Sequence, residues 1–396
     1  MKSWRAAWTL ALRYTLRHPL RSGLLAAALG LVMALPWGLR SVVDAADAAM
    51  RERAAATPLV LGRRGSALDL VLTALHFRQP PPAAMTLGDA RAACRRSEAV
   101  SVPVYVRFQA RGFPIVGTEL DYFSQRRLTL AAGRAFTQLG DCVVGAAVAE
   151  KLGLQPGSAL ISSPEQSFDL DGVYPLKMRV TGVLAAGGQS DDHAVFADLK
   201  TTWLIEGLAH GHQDMAQAGD EAVLSRDAAN GEVVANASVR LYNEVTEANR
   251  NSFHFHGDFE DLPVTAALIW PVDARADALI TARFRDPDEP LQIVSPAEEV
   301  AGLMASLFQL ERLVLGLLAL ASATALLVCG LVFGLSFRLR RDQFTTLEEI
   351  GVSRAALRGV KLTEIALVLI LAAGLATVGV ALVAAAAPTL VRLTLS

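Results

Sequence analysis

Cysteine is nearly missing from this chain: 396 residues hold three, at positions 94, 142 and 329. A disulfide-stapled framework is therefore excluded. Cys329 lies in an apolar run, which leaves Cys94 and Cys142 as the one pair a disulfide could join, with free thiols as the alternative. No G-x-x-x-x-G-K-[ST] phosphate loop occurs, so the chain carries no P-loop ATPase of its own. It also has no G-x-S-x-G elbow and no H-E-x-x-H pair, and no other nucleophile-and-base signature marks an enzyme. The middle of the sequence lacks a basic patch, which argues against a nucleic-acid partner. Three runs, Gly23–Leu39, Leu313–Phe337 and Ile365–Val391, contain no Asp, Glu, Lys, Arg or His. Ionisable groups inside spans normally mark an ion or substrate path, so these runs need no solute channel.

What is present is apolar length. The chain is 52% hydrophobic with a mean hydropathy of +0.35. The two C-terminal runs can each cross a hydrocarbon core of roughly 30 Å at about 1.5 Å per residue. Gly23–Leu39 reaches about 26 Å as a helix. A net charge of −2 hides an asymmetry. Residues 1–22 carry five bases and no acid, and residues 338–361 carry six bases and three acids, so residues 23–337 hold a net charge of about −10. Basic flanks around an acidic middle predict cytoplasmic flanks and an exported middle. The expected class is a multi-pass membrane protein of the bacterial inner membrane. It has three α-helical spans and a large mixed α/β periplasmic domain inserted between the first and second on helical stalks.

The expected divisions follow. Residues 1–20 form an interfacial amphipathic helix, with Trp4, Trp8, Leu12 and Leu16 on one stripe and Arg5, Arg13 and Arg17 off it; Pro19 ends it. Residues 21–56 are the first span and a stalk. A cleaved signal peptide is the rival reading, but the apolar run is too long, the leader is long, and no clean A-x-A site follows. Residues 57–295 are the exported domain, 296–337 a second stalk and span, 338–363 a cytoplasmic segment, and 364–396 a third span and short tail. Within the domain, Leu59–Leu61, Val100–Gln109, Gly112–Gly117, Lys177–Val183 and Val264–Val272 read as strands. Ala67–Phe77 and Asp214–Leu224 read as helices. Asp141–Gly157 reads as a strand, a short helix stopped by Gly153, and a turn at Pro156-Gly157. Ser295-Pro296 starts a long helix. Gly330 and Gly334 make a small-x-x-x-small pattern that lets two spans approach.

Two stretches resemble a known family. One is Gly133-Arg134-Ala135-Phe136, then Val143-Val144-Gly145, Ala149-Glu150-Lys151-Leu152-Gly153-Leu154 and Pro156-Gly157. The other is Arg341, Thr346-Leu347, Ile350-Gly351-Val352-Ser353-Arg354 and Glu364. Their order and the topology around them resemble the permease subunit of MacB-, LolC/LolE- and FtsX-like ABC transporters. Family members usually have three spans after the exported domain, and this sequence shows two. The resemblance implies that this subunit does not hydrolyse ATP. A separate ABC ATPase binds ATP and docks on the cytoplasmic turn, and two copies of each subunit assemble, which makes the permease a homodimer. The coupling residues implied are Leu347, Glu348, Glu349, Ile350 and Gly351, a short amphipathic segment suited to a groove on a partner. ATP-driven motion then passes through the stalks to the periplasmic domain. That domain moves or releases a lipoprotein, a hydrophobic compound or a metal-related ligand.

Histidine placement is the remaining clue. Six of the seven histidines lie between His76 and His256. His254-Phe255-His256-Gly257-Asp258 puts two imidazoles on one face of an extended chain with a carboxylate two residues on. That set, His254, His256 and Asp258, suits zinc. His210-Gly211-His212 has the same spacing, with Asp214 behind it, and Asp191-Asp192-His193 is a third cluster. The alternative is polar loop histidines that never meet. This stretch also resembles a subgroup of these permeases associated with zinc handling. Two other functions remain open from the sequence. One is a membrane-anchored periplasmic binding or sensor protein without an ATPase. The other is an FtsX-like regulator of cell-wall hydrolases, which differs in its periplasmic partner.

Overall fold

The computed structural model describes residues 2–78, 81–95, 99–163, 175–211, 223–227, 232–235, 243–247, 249–250, 253–255 and 257–395. The chain divides into two units, Met1–Ala49 with Gly302–Thr394, and Met50–Ala301. Helix α1 (Lys2–Arg17) stops at His18, and Pro19 opens α2 (Pro19–Ala55), where its missing N–H costs nothing. Trp8, Leu12 and Leu16 on α1 are exposed.

The α/β unit runs β1 (Leu59–Arg63), α3 (Ala67–His76), β2 (Met85–Thr86), α4 (Leu87–Ala92), β3 (Ala99–Ala110), β4 (Phe113–Thr118), α5 (Asp121–Gln125), β5 (Leu130–Gly133), β6 (Asp141–Val144) and α6 (Ala146–Leu152). Next come β7 (Ala159–Ile161), β8 (Leu176–Leu184), a 3-10 turn at Ser190–His193, β9 (Val195–Asp198), α7 (Leu199–Ile205) and β10 (Ala209–Gly211). The unit closes with β11 (Val223–Asp227), β12 (Glu232–Ala235), β13 (Asn243–Glu244), β14 (Phe253–Phe255), a 3-10 turn at Phe259–Asp261, β15 (Pro263–Val264), β16 (Ala266–Pro271), α8 (Ala274–Arg283) and β17 (Leu291–Val294). The main sheet is mixed, with path β13-β8-β6-β9-β4-β3-β16-β1-β17, and β5 and β7 also pair with β8. Alternate residues of one strand enter opposite cores. Leu59, Leu61, Cys142 and Val144 pack on one face, and Val60, Val102, Val104 and Val143 on the other. Both faces are covered, which is why these strands are apolar throughout. Helix α3 covers the second face with Leu70, Val71, Ala74 and Leu75, while α7 covers the first with Trp203, Leu204 and Ile205.

Local signals set the boundaries. Ser66 accepts a hydrogen bond from the Asp69 N–H at 3.2 Å and starts α3, while Phe77, at φ 56°, ends it before the prolines are reached. Arg111 and Gly112 both have positive φ (54° and 84°), giving the tight hairpin turn between β3 and β4. Two glycines of the family-like pattern have steric reasons. Gly133 has φ 77°, and a Cβ there would lie 2.1 Å from the Thr181 carbonyl oxygen. A Cβ on Gly145 would lie 2.3 and 2.4 Å from the carbonyl oxygens of Asp192 and Asp191. The strand end therefore touches the backbone of the 3-10 turn, and only glycine fits.

Two expectations need correction. The helix expected over Asp214–Leu224 falls outside the described residues up to position 222, and Val223 and Leu224 begin strand β11 instead. The single strand expected over Val264–Val272 is broken at Thr265. Its N–H donates to the Val104 carbonyl and its hydroxyl accepts from the Val106 N–H, so a side chain replaces a rung of the ladder. Of the two alternatives left open for Cys94 and Cys142, the structure has free thiols, with Cys142 buried in β6.

The membrane unit continues with α9 (Pro296–Leu339), α10 (Arg341–Glu349) and α11 (Arg354–Leu395). Helices α2, α9 and α11 are long and apolar enough to cross a membrane, one before the α/β unit and two after it. Ala26, Leu29, Cys329, Phe333, Val368 and Ala372 form a small shared core between them. The close helix approach lies at Gly30, where a Cβ would sit 2.9 Å from the Ala372 carbonyl oxygen. Gly330 and Gly334 meet nothing within 4 Å in this chain.

Candidate functional site

The cytoplasmic segment is a helix-turn corner. Arg340 sits between α9 and α10 and donates to the Glu364 carboxylate on α11 at 2.8 Å. Its guanidinium also lies 3.5 Å from the ring centre of Tyr14 on α1 and 5.1 Å from that of Phe344 on α10. One cation thus ties α1, α10 and α11 together. Glu364, part of the family-like pattern, is explained by this pair. Helix α10 ends at Gly351, whose φ is 92°, and the Val352 N–H closes the turn on the Leu347 carbonyl at 3.0 Å. Ser353 then caps α11 through the Ala356 N–H at 3.3 Å. Leu347, Glu348, Glu349, Ile350 and Gly351 therefore occupy the last turn of α10 and its stop. Ile350 is 72% exposed. Glu348 pairs with Arg354.

In the α/β unit a buried ion cluster at the end of α2 has no local signal in the sequence. Arg53 is buried and forks onto Asp191, with Nη1 and Nη2 at 2.6 and 3.1 Å from the two carboxylate oxygens. Its Nε donates to the Leu75 carbonyl and its guanidinium lies over Phe77. Tyr122 donates its hydroxyl to Asp191 at 2.7 Å. Arg126 approaches the same carboxylate at 3.6 Å and donates to the Thr57 hydroxyl at 3.1 Å. Trp270 donates from its indole to the Ala56 carbonyl at 3.0 Å. Residues 53–57, where α2 becomes β1, are thus held from four directions. Burial opposes the charged form of Asp191, but Arg53 outweighs it and pulls the carboxyl down to about 2. His76 donates to or accepts from the Ser190 hydroxyl at 2.9 Å. Burial, then the neighbouring Arg53 and Arg126 charges, lowers its pKa to about 3 and keeps it neutral. Asp191, grouped above with possible metal ligands, is committed to Arg53. Asp192 accepts from the Gly187 and Gly188 N–H groups instead.

The histidine strands come together in part. Strands β10 and β14 pair antiparallel, with His210 directly opposite His254. Two sequence clusters that lie far apart therefore meet in one register. His256, His212 and Asp214 lie outside the described residues. Asp258 caps the following 3-10 turn through the Glu260 N–H at 3.1 Å. Among the described residues, no three His, Cys, Asp or Glu side chains converge as a metal site would require.

A multi-pass membrane protein with an inserted α/β domain is the class these observations define. The sequence matches the MacB-like periplasmic core domain family over residues 22–241. That is more than half of the chain, which therefore belongs to this family, the MacB-like ABC transporter permeases of the inner membrane with a periplasmic domain. Two solved structures are similar. The periplasmic region of MacB from Actinobacillus actinomycetemcomitans has a TM-score of 0.35 and 10% identity, over 62% of this chain and 92% of that one. The extracellular domain of the noncanonic ABC-type transporter YknZ from Gram-positive bacteria has a TM-score of 0.32 and 14% identity, over 60% of this chain and 98% of that one. No curated protein matches the chain.

Removing one partner of a buried ion pair strands the other charge. Asp191→Ala should therefore destabilise the periplasmic domain by about 3–5 kcal/mol, read as a lower urea midpoint. His76 gives a pH dependence. The folded state keeps it neutral to about pH 3, whereas the unfolded chain takes up a proton below its ordinary value. Stability is thus full at neutral pH and falls as pH drops below about 6.5, by about 2 kcal/mol at pH 5. In His76→Gln, the difference between the unfolding free energies at pH 7 and pH 5, taken from urea titrations, should shrink by that amount.

Proposed function

We propose that this permease is a mechanotransmitting subunit whose motive force comes from a separate ABC ATPase docked on the last turn of α10. The observation that carries the reading is the exposed Leu347–Gly351 corner, held rigid by Arg340 and Glu364 between two apolar spans. Exposed Ile350 beside Glu348 and Glu349 supplies an apolar anchor with a charged rim, the usual composition of a contact that seats in a groove. The route outward is helical. Helices α2 and α9 run unbroken over 37 and 44 residues, and they lead into β1 and out of β17. These two strands are hydrogen-bonded neighbours, with Val60 opposite Val294, so the chain enters and leaves the periplasmic domain side by side. A displacement of one helix relative to the other acts directly on that strand pair. A homodimer of the permease with two ATPase subunits is the assembly this reading requires. The periplasmic partner is a lipoprotein, a hydrophobic compound or a metal-related ligand.

Zinc is the metal-related ligand this reading proposes, on the sequence pattern His254, His256 and Asp258.

Two measurements test these readings. Replacing Glu349 and Ile350 with Lys should abolish stimulation of the copurifying ATPase while the thermal transition of the permease stays unchanged. Full stimulation by that variant removes the docking assignment, and the absence of any copurifying ATPase favours the anchored binding or sensor protein. Substituting His254 and His256 with Ala should remove bound zinc as counted by elemental analysis. Equal zinc content in variant and wild type ends the metal reading.

A further inference from the structure

A groove of about 510 Å³ lies between the end of α9, α10 and the start of α11. Five cations line it: Arg338, Arg341, Arg354, Arg358 and Lys361. Glu348 is the one lining carboxylate, and it is already paired with Arg354. The apolar part of the wall is Phe337, Phe344 and Leu357. The Lys361 ammonium lies 4.6 Å from the Phe344 ring centre and 5.6 Å from that of Phe337, so charge and apolar surface share one site. Among the described residues, Arg338, Arg341, Arg358 and Lys361 have no carboxylate partner.

We propose that this groove binds the phosphodiester headgroup of an anionic phospholipid from the inner leaflet. The level is fixed by sequence. Phe337 is the last residue of one uncharged run, Lys361 lies four residues before the next, and the groove sits where headgroups lie. The chemistry fits. Guanidinium groups fork onto phosphate oxygens, and the aromatic and Leu357 surfaces take the first part of an acyl chain. A soluble anion has no use for that apolar wall. On α10 the lining residues Arg341, Phe344, Thr345 and Glu348 recur at intervals of three, one and three, which places them on a single helical face. Leu347, Glu349 and Ile350 do not line the groove. One short helix therefore presents a lipid face and a separate face for a protein partner. A bound lipid screens four uncompensated positive charges and fixes the orientation of α10. The inference does not rest on ATPase docking.

The test uses the full-length protein in a zwitterionic detergent, titrated with dioctanoyl phosphatidylglycerol and followed by native mass spectrometry. Arg341→Gln with Arg358→Gln removes two groove cations. Arg13→Gln with Arg17→Gln removes two cations from α1 and controls for general attraction to anionic lipid. The groove variant should bind the lipid about 30-fold more weakly, while the control stays within about twofold of wild type. Dioctanoyl phosphatidylcholine and inorganic phosphate should each bind far more weakly than the anionic lipid. Equal weakening in both variants would overturn the proposal, since charge alone then explains binding. So would phosphatidylcholine binding as tightly, or inorganic phosphate displacing the lipid at equal concentration. Should the double variant lose its thermal transition, Arg358→Gln alone is read against Arg17→Gln by the same criteria.

Discussion

The fork of Arg53 onto Asp191 is the interaction on which the periplasmic half depends. Two charges taken out of water must be fully paired, or the cost of burial is not recovered. Arg53 meets this through both carboxylate oxygens, the Leu75 carbonyl and the face of Phe77, and Tyr122 fills out the acceptor side of Asp191. Asp191 stands on a 3-10 turn whose backbone packs against Gly145 at the end of β6. The cluster therefore links the last turn of α2, the C-terminal end of α3, α5 and the middle of the sheet. A helix end attached through one exposed salt bridge could swing at little cost. An end attached through a buried, bidentate ion pair is held much more firmly, because breaking the pair strands a charge away from water.

The cytoplasmic end uses a different solution to the same problem. Arg340 pairs with Glu364 and stacks on Tyr14, so α1, α10 and α11 share one guanidinium. Here the pair lies at the membrane edge, where an unpaired carboxylate would be costly and a long basic side chain can reach the surface. The result leaves α10 with two usable faces. One is cationic and aromatic and looks into the groove, and the other carries Leu347, Glu349 and Ile350. In the spans themselves, small residues such as Ala26, Gly30 and Ala372 let the helices approach around Leu29, Phe333 and Val368. The approach of α2 to α11 at Gly30 is set by shape, since lipid gives no hydrophobic reason for apolar helices to associate.

Much of this architecture could be read from the chain. Long uncharged runs can only be helices in lipid, because every backbone group there must be paired within its own segment. The basic flanks set orientation, and β-branched runs with turn residues between them placed β1, β3, β4, β6 and β8. The family-like pattern around Gly133 and Gly145 was visible too, but its cause was not. Each glycine avoids a carbonyl from a strand or turn distant in sequence, and no local rule announces such a contact. The partner of Asp191 is hidden for the same reason. In a run of Asp191-Asp192-His193, Asp191 looks like a metal ligand, and only folding brings Arg53 to it from far up the chain. Gly330 and Gly334 follow a helix-packing pattern, yet the close packing within this chain is at Gly30.

The sequence alone determined the membrane topology, the α/β class of the inserted domain and the place of the cytoplasmic corner. These depend on hydropathy, charge and local turn chemistry, which are carried by neighbouring residues. Tertiary structure alone decided which strands are neighbours, that His210 stands opposite His254, that β1 and β17 bring both connecting helices to one edge, and that Arg53 is locked to Asp191. Those are meetings of residues far apart in the chain. Their energy comes from burial and from pairing in a low dielectric, and neither exists until the fold has closed around them.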